Sequence, residues 1–393
     1  MPLLLSAMAV IAFGASLLKL VEGIYASRQV PDLAAEVPPD ADLGPNPPLL
    51  SVIVPACNEE RSIETAVRSL LRQDYPRLEL VLVNDRSVDA TPAIMDRLAN
   101  EFPQVKVIQI HHLPNGWLGK NHALWTGARH SSGDLLLFTD ADVHFDPTAL
   151  RRAVAFLQHR RLDHLTLAPH MATKGYWLTA WVGFFLMAFL AYKNPYRTNN
   201  PKSKAGMGIG AFNLLRRTAY EGMGTHEAIS LRPDDDLRLG QRLKRMGYAS
   251  NVAMAPDLLS VEWYTSLWEA IRGLEKNTFA GLEYSLFQVG FSIIGLLMIM
   301  VWPYIALFLT GGWVFWLYVG AILLQLAIYL VANQLMGLRS VGLALVYPVS
   351  ALLFAFTVAR ASYLTLIQGG ITWRGTFYPL AQLRSQSGLP EED

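Results

Sequence analysis

Apolar and polar residues fall into blocks along this chain, and the block lengths change twice. From Leu49 the run LLSVIVPA is continuously apolar and is followed by a polar cluster, as in a strand buried on both faces. Arg61–Gln73 then carries Ile63, Val67, Leu70 and Leu71 on one helical face, and ELVLVND is a second apolar strand closing on Asn84 and Asp85. Thr91–Asn100 reads as a helix, VKVIQI as a third strand, Gly119–Arg129 as a helix and Leu135–Phe138 as a fourth strand. Strands alternating with helices predict an α/β fold with a mostly parallel, doubly wound sheet, whose ligands collect beyond the carboxyl ends of the strands. Pro55–Glu60, Asn84–Asp89 and Thr139–Asp142 all follow such ends, so three polar clusters converge on one crevice.

At both ends of the chain the apolar blocks lengthen. Residues 1–18 carry no charge, nor does any residue from Leu286 to Leu338. Leu3–Leu20, flanked on its carboxyl side by Lys19 and Arg28, lacks the basic start of a signal peptide and predicts an uncleaved span with its basic flank inside. A Pro-rich linker follows. Leu286–Thr310, Trp313–Leu335 and Ser340–Leu366 predict three further spans, broken at Gly311–Gly312 and Arg339, with Arg360 inside the third. Tyr176–Tyr192 is nearly long enough to cross, but a single crossing there would put Asp142 and Asp236 on opposite sides. If both serve one site, the segment is a core or interfacial helix, its Trp177, Trp181 and Tyr192 suited to a headgroup-facing floor. With the α/β domain inside, three later crossings would leave Arg374 and Arg384 outside, against the positive-inside tendency, and an incomplete crossing removes the conflict. The expected organisation is a span over 1–27, a linker over 28–48, the α/β domain over 49–270, an interfacial segment over 271–285, spans over 286–370 and a basic tail over 371–393.

Composition adds little beyond this. Hydrophobic residues make up 52% and charged residues 17% of the 393, a bias explained by the apolar ends. A net charge of +1 gives no reason to expect nucleic acid as a partner. The single cysteine, Cys57, excludes an internal disulfide framework and reads as a small packed residue.

The candidate chemistry lies in LLLFTDADVHFDP. Asp140 and Asp142, one residue apart on extended backbone, point to the same side and suit a hard divalent cation shared with a ligand's phosphates; a solvated acidic turn is the rival reading. In NNPKSKAGMGIGAFN the alternating Gly206, Gly208 and Gly210 allow either close backbone approach to a ligand or a tight bulge. Asp234, Asp235 and Asp236 precede a helix marked by Leu239 and Leu243, where a carboxylate serves as a cap or as a base.

Five runs taken in order, SVIVPACNEE, VLVNDRSVDAT, GKNHALWTGA, FTDAD and DDLRLGQRLKRMGY, resemble the family 2 glycosyltransferases of GT-A fold. The flanking spans, GWLGKNHA and the WRGTFYP tail resemble most the hopanoid-associated branch, with the carotenoid- and ceramide-glycosylating branches close by. The resemblance implies inverting transfer of a sugar from a nucleotide-sugar donor, a UDP-sugar, with Mg2+ or Mn2+. It implies that Pro55, Asn58 and Glu59 hold the uridine, that Asp85 reads the uracil with Asp89 as second acid of the motif, and that Lys120 approaches the nucleotide. It further implies that Asp140 and Asp142 bind the metal and that Asp236 is the catalytic base. An inverting displacement needs that one base and no enzyme nucleophile. Two positions depart from the pattern: Arg86 stands where NDGS has glycine, and IRGLEKN, with Arg272 and Lys276, stands where processive synthases carry QxxRW. Arg272 is a diphosphate clamp or a structural arginine. The expected function is transfer of one sugar to a lipid acceptor by a multi-pass membrane enzyme with a cytoplasmic catalytic domain; a processive polysaccharide synthase or a noncatalytic sugar-binding scaffold are the alternatives.

Overall fold

A computed structural model describes residues 2–335, 337, 338 and 341–385. The chain divides into two units. One is drawn from Val30–His170 and Pro195–Glu262; the other from the N-terminal helix, Met171–Asn194 and the chain from Trp263 onward. The break expected at Arg339 lies outside the described residues.

The α/β unit is built on strands β1 (Leu50–Ala56), β2 (Leu78–Asp85), β3 (Val105–Ile110), β4 (Leu135–Phe138), β5 (Val143–Phe145), β6 (His164–Ala168), β7 (His170–Met171), β8 (Asn213–Arg216), β9 (Ser250–Met254) and β10 (Leu259–Val261). Seven of them form one sheet in the order β3-β2-β1-β4-β8-β6-β9. β1 pairs in parallel with β2 and β4, and β2 with β3, as the block pattern predicts. β8 runs antiparallel to both β4 and β6, so the remaining strands share one direction. The two central strands are buried along their lengths, which is why they read as continuous apolar runs. The Gly119–Arg129 and Asp235–Arg245 helices cover one face through Ala123, Leu124, Leu239 and Leu243, packed with Ile53, Val83, Leu136 and Leu215.

This unit starts at Val30 rather than at residue 49. Asp32 caps a short helix, Leu33–Glu36, by accepting from the Ala34 and Ala35 amides, and Leu33 is fully buried. The Arg152 guanidinium donates to the Ala34 and Val37 carbonyls. The Pro-rich stretch is therefore packed rather than free.

The second unit holds helices long and apolar enough to cross a membrane: Leu3–Ser27, Tyr176–Lys193, Leu286–Ala306, Gly312–Gln334 and Gly342–Gln368. Buried polar groups join them, as happens where water is scarce. Gln325 donates to Ser16 Oγ and to the Ile299 carbonyl, and Tyr329 Oη to the Ala180 carbonyl. The Tyr176–Lys193 helix takes the core role of the two the sequence left open: Trp181 and Phe184 are fully buried, the latter against Tyr347 and Phe354. Outward positions such as Phe287, Phe291 and Phe308 stay exposed, as a lipid-facing surface requires. The tail is a hairpin of Gly370–Trp373 and Thr376–Pro379 with a short helix after it, turning at Arg374 (φ 49°) and Gly375 (φ 79°). Two consecutive positive φ values make a type I′ turn.

Candidate active site

At the carboxyl ends of β1 and β2 the loops are laced together by their own polar side chains. Asn58, in the left-handed region at φ 59°, accepts from the Val88 amide through Oδ1, while its amide donates to Ser87 Oγ. The Glu59 amide donates to Thr91 Oγ1, and the Glu60 amide to Asp89 Oδ2. Asp89 also accepts from the Thr91 amide, so it braces a helix start. Pro55 closes β1 beside these turns.

Asp85 ends β2, almost fully buried, with both carboxylate oxygens occupied: Arg86 Nε lies 2.8 Å from Oδ1 and Nη2 lies 3.2 Å from Oδ2. Arg86 has φ 58°, so it adopts the backbone conformation glycine would supply and then folds its guanidinium back over the acid. The turn geometry survives the substitution, while the acid acquires a partner. Gly119 abuts the pair, for a Cβ there would fall 2.1 Å from Asp85 Oδ2.

β4 stops at Phe138, and Ala141 and Asp142 form a turn, so strand alternation does not itself align the two aspartates. They are nonetheless close enough to repel. Burial first, then the Asp140 and Glu59 carboxylates, push the Asp142 carboxyl up to about 7. Lys120, from the first turn of its helix, puts Nζ 2.7 Å from Asp140 Oδ1 and 3.7 Å from Asp235 Oδ1. Burial would lower the lysine, but Asp140, Asp235 and Asp236 outweigh it and hold it above its ordinary value.

The three consecutive aspartates have separate fates. Asp234 is buried in ion pairs with Arg232 (2.9 Å) and Arg238 (3.0 Å), which overcome its burial and keep it below the usual carboxylate range. Asp235 pairs with Lys120. Asp236 accepts from the Gly210 amide at 2.7 Å and from its own neighbour Leu237 at 2.8 Å, and burial raises it despite Lys120.

The glycine run owes its composition to a helix. A Cβ on Gly206 would meet the Gly240 carbonyl at 2.3 Å, one on Gly208 the Asp236 carbonyl at 2.2 Å, and one on Gly240 the Met207 carbonyl carbon at 2.1 Å. Backbone lies on backbone, which brings the Gly210 amide to Asp236 while its carbonyl receives the Asp140 amide at 3.2 Å. One residue was not signalled by the sequence reading: Asn121. Asn121 is fully buried and donates to the Ile229, Ser230 and Arg232 carbonyls, fixing the approach to Asp235 from one position beyond Lys120. Its place beside a motif lysine was the available signal. Arg272, by contrast, lies exposed in the last turn of Leu267–Gly273 and belongs to the helical unit.

Lys120, Asp140, Asp235 and Asp236 line one small cavity with Gly210 and His226. Among the described residues no three His, Cys, Asp or Glu side chains are grouped to hold a metal alone. Asp140 and Asp142 form a partial set of hard oxygen donors whose mutual repulsion a divalent cation would relieve, so the residues fit Mg2+ or Mn2+ with further ligands from a phosphate-bearing substrate and water.

Residues 51–224 match the family model described as Glycosyl transferase family 2. The chain is 36% identical over 139 residues to a beta-monoglucosyldiacylglycerol synthase of Synechocystis sp., covering 34% of this chain and 28% of that protein. It is 28% identical over 204 residues to a 4,4'-diaponeurosporenoate glycosyltransferase of Staphylococcus haemolyticus, covering 50% and 52%. The match thus spans about half or less of the length of these curated relatives. Among solved structures, a mannosyltransferase from Pyrobaculum calidifontis in complex with GDP-Man and Mn2+ superposes with a TM-score of 0.52 at 20% identity, over 92% of this chain and 99% of that one. At that identity the likeness is one of fold.

Proposed function

We propose that this chain, which carries a glycosyl transferase family 2 domain on a GT-A fold, is a membrane-bound enzyme that moves one sugar from a nucleotide-sugar, a UDP-sugar, to a hydroxyl of a lipid, with inversion. The observation that carries the proposal is the convergence of Asp236, Lys120 and Asp140 on one cavity, with Asp236 raised by burial and held by a backbone amide. A base needs to be unprotonated yet willing to take a proton, and a carboxylate lifted from its ordinary range serves better than a fully solvated one. Asp234, locked between two arginines, is a poor alternative. The relatives support the substrate classes by their names: one makes a glucosyldiacylglycerol, the other glycosylates diaponeurosporenoate.

In this reading the β1 and β2 loops hold the nucleotide through Pro55, Asn58, Glu59 and Asp85. Asp140 and Asp142 would hold a divalent cation, Mg2+ or Mn2+, which when bound neutralises charge on the departing diphosphate. Lys120 adds a fixed positive charge beside it and orients Asp140 and Asp235. Asp236 accepts the proton of the acceptor hydroxyl as that oxygen bonds to the anomeric carbon. The Gly210 amide holds Asp236 in place throughout.

The test is Asp236→Asn. Asparagine keeps the size of aspartate and can accept from the Gly210 amide through its Oδ1, so the fold and donor affinity are expected to persist. Transfer to lipid is expected to fall by a factor on the order of 10² to 10⁴, the usual worth of a general base. Near-normal transfer, with donor binding intact, would remove Asp236 from the role.

A further inference from the structure

A cleft of about 970 Å3 opens at the amino ends of the strands, the edge of the sheet opposite the catalytic crevice, and every residue lining it belongs to the α/β unit. Its walls are the end of the Ala149–His159 helix with Arg160, the start of β9 at Ser250 and Asn251, the Pro-rich stretch at Glu36–Asp42, and Lys244. Lys244 decides what the cleft is for. It is 7% exposed, and among the described residues its ammonium has neither a hydrogen-bond nor an ion-pair partner. Burial unrelieved by any partner keeps it below the ordinary lysine range. The stem is buried while the ammonium reaches the cleft, where only solvent meets its charge, although a fully solvated position was open at the exposed neighbour Arg245. Its stem is fixed by close packing on Gly206, where a Cβ would come within 2.6 Å of Lys244 Cβ.

We infer that this cleft is a second binding site, for a singly charged phosphate group, with Lys244 as its counter-ion. The other charges limit the ligand. Arg160 is already paired with Glu36 at 2.6 Å, so Lys244 is the lining cation without an ion pair, and the Glu36 and Asp42 carboxylates disfavour a multiply charged anion. Phosphate as the monoanion and a phosphodiester headgroup both meet that description, and Asn251 and Ser250 offer neutral polar neighbours. The inference stands independently of the proposed transferase activity.

The full chain in dodecyl maltoside micelles, which contain no phosphate, is treated with a lysine-acylating reagent, and acylation of Lys244 is followed by mass spectrometry. Inorganic phosphate at about pH 6, where it is mainly the monoanion, and at constant ionic strength is expected to slow Lys244 acylation several-fold while leaving exposed lysines such as Lys202 unchanged. In a parallel arm, nanodiscs of phosphatidylglycerol without inorganic phosphate protect Lys244 if a headgroup is the natural source. Thermal melts supply the second measurement: phosphate is expected to raise the wild-type melt by more than that of Lys244→Met, which keeps the stem on Gly206, whereas Lys244→Arg retains the shift. Any phosphate bound in the catalytic crevice contributes equally to wild type and variant. Acylation unaffected by either probe, or equal phosphate shifts in wild type and Lys244→Met, overturns the site.

Discussion

Arg86 shows how one residue can keep a motif's shape while changing its chemistry. Its φ of 58° costs an L-residue about 1 kcal/mol, and the guanidinium then occupies both oxygens of Asp85. A base N–H that is to reach Asp85 has to displace that guanidinium or share the carboxylate with it. Arg86→Gly removes the backbone strain and frees the acid. The expected outcome is tighter binding of UDP, read by calorimetry, with little change in transfer rate at saturating donor. Unchanged or weaker binding would mean that Arg86 itself contributes to the nucleotide site and that Asp85 serves only to hold it. The order of motifs made Asp85 legible from the sequence. The pairing did not show, because a side chain's direction over its neighbour depends on a left-handed φ that an arginine gives no reason to expect.

Among the elements, the Asp235–Arg245 helix and the glycine run before β8 act as one piece. Gly240 is where they touch most closely, with a Cβ site 2.1 Å from the Met207 carbonyl carbon. In an isolated helix Ala is preferred to Gly by about 1 kcal/mol. Gly240→Ala is nevertheless expected to lower stability by about 1–3 kcal/mol, because two backbones have to separate, and to lower activity further by drawing the Gly210 amide away from Asp236. A chemical melt with activity assayed alongside checks both; a stabilised, fully active variant would contradict the close packing. The sequence identified the small residues and the helix after Asp234 but assigned the freedom of the glycines to a ligand or a bulge. Glycines that meet a partner far along the chain look the same in sequence as glycines that meet a substrate. The first four strands were legible from their unbroken apolar runs. β6 and β9, short and mixed in polarity as HLTLA and SNVAM, gave no comparable signal.

The α/β unit also carries its own acid sensitivity. His164 and His226 are both buried, and burial lowers them to about 4 and about 3. The unfolded chain binds protons at these sites near pH 6.5 and the folded chain does not, so their stabilising contribution is full above that value and shrinks as the pH falls through the window toward 4. Roughly 2 kcal/mol per histidine is expected to be lost by about pH 5. Replacing His164 by Gln, which can keep a hydrogen bond to Asn213, is expected to flatten the fall in melting temperature between those pH values. An equally steep fall in the variant would assign the sensitivity elsewhere.

At the scale of the whole chain, contacts inside the helical unit lead to a prediction about the parity of its membrane crossings. Arg384, in the tail, donates to the Tyr284 carbonyl at 3.2 Å, just before the helix that begins at Leu286. Lys276 lies 4.0 Å from the Trp373 ring centroid, and Arg360 pairs with Glu275 at 2.7 Å. The segments entering and leaving the apolar region are thus held together, and an even number of full crossings between Leu286 and Gln368 is the expected outcome. Three helices long and apolar enough to cross lie in that interval, so one of them is expected not to cross. Gly342–Gln368 is the one that fits, since it carries Arg360 and buries Ser350, Thr357, Ser362 and Thr365. The same logic applies to Tyr176–Lys193: β6 before it pairs with β8 and β9 after it, and a sheet cannot be divided by a bilayer, so this helix is expected to return to the side it left. An even count would bring Arg374 and Arg384 back to the side from which the Leu286 helix enters, which removes their conflict with the positive-inside tendency. On a Cys57→Ser background, single cysteines at Gly311, Lys202 and Gln382 are to be probed in sealed, oriented vesicles with a membrane-impermeant maleimide. Lys202 and Gln382 positions are expected to react from one side and Gly311 from the other. Reaction of the Gln382 position from the side of Gly311 would show three full crossings and break the parity argument.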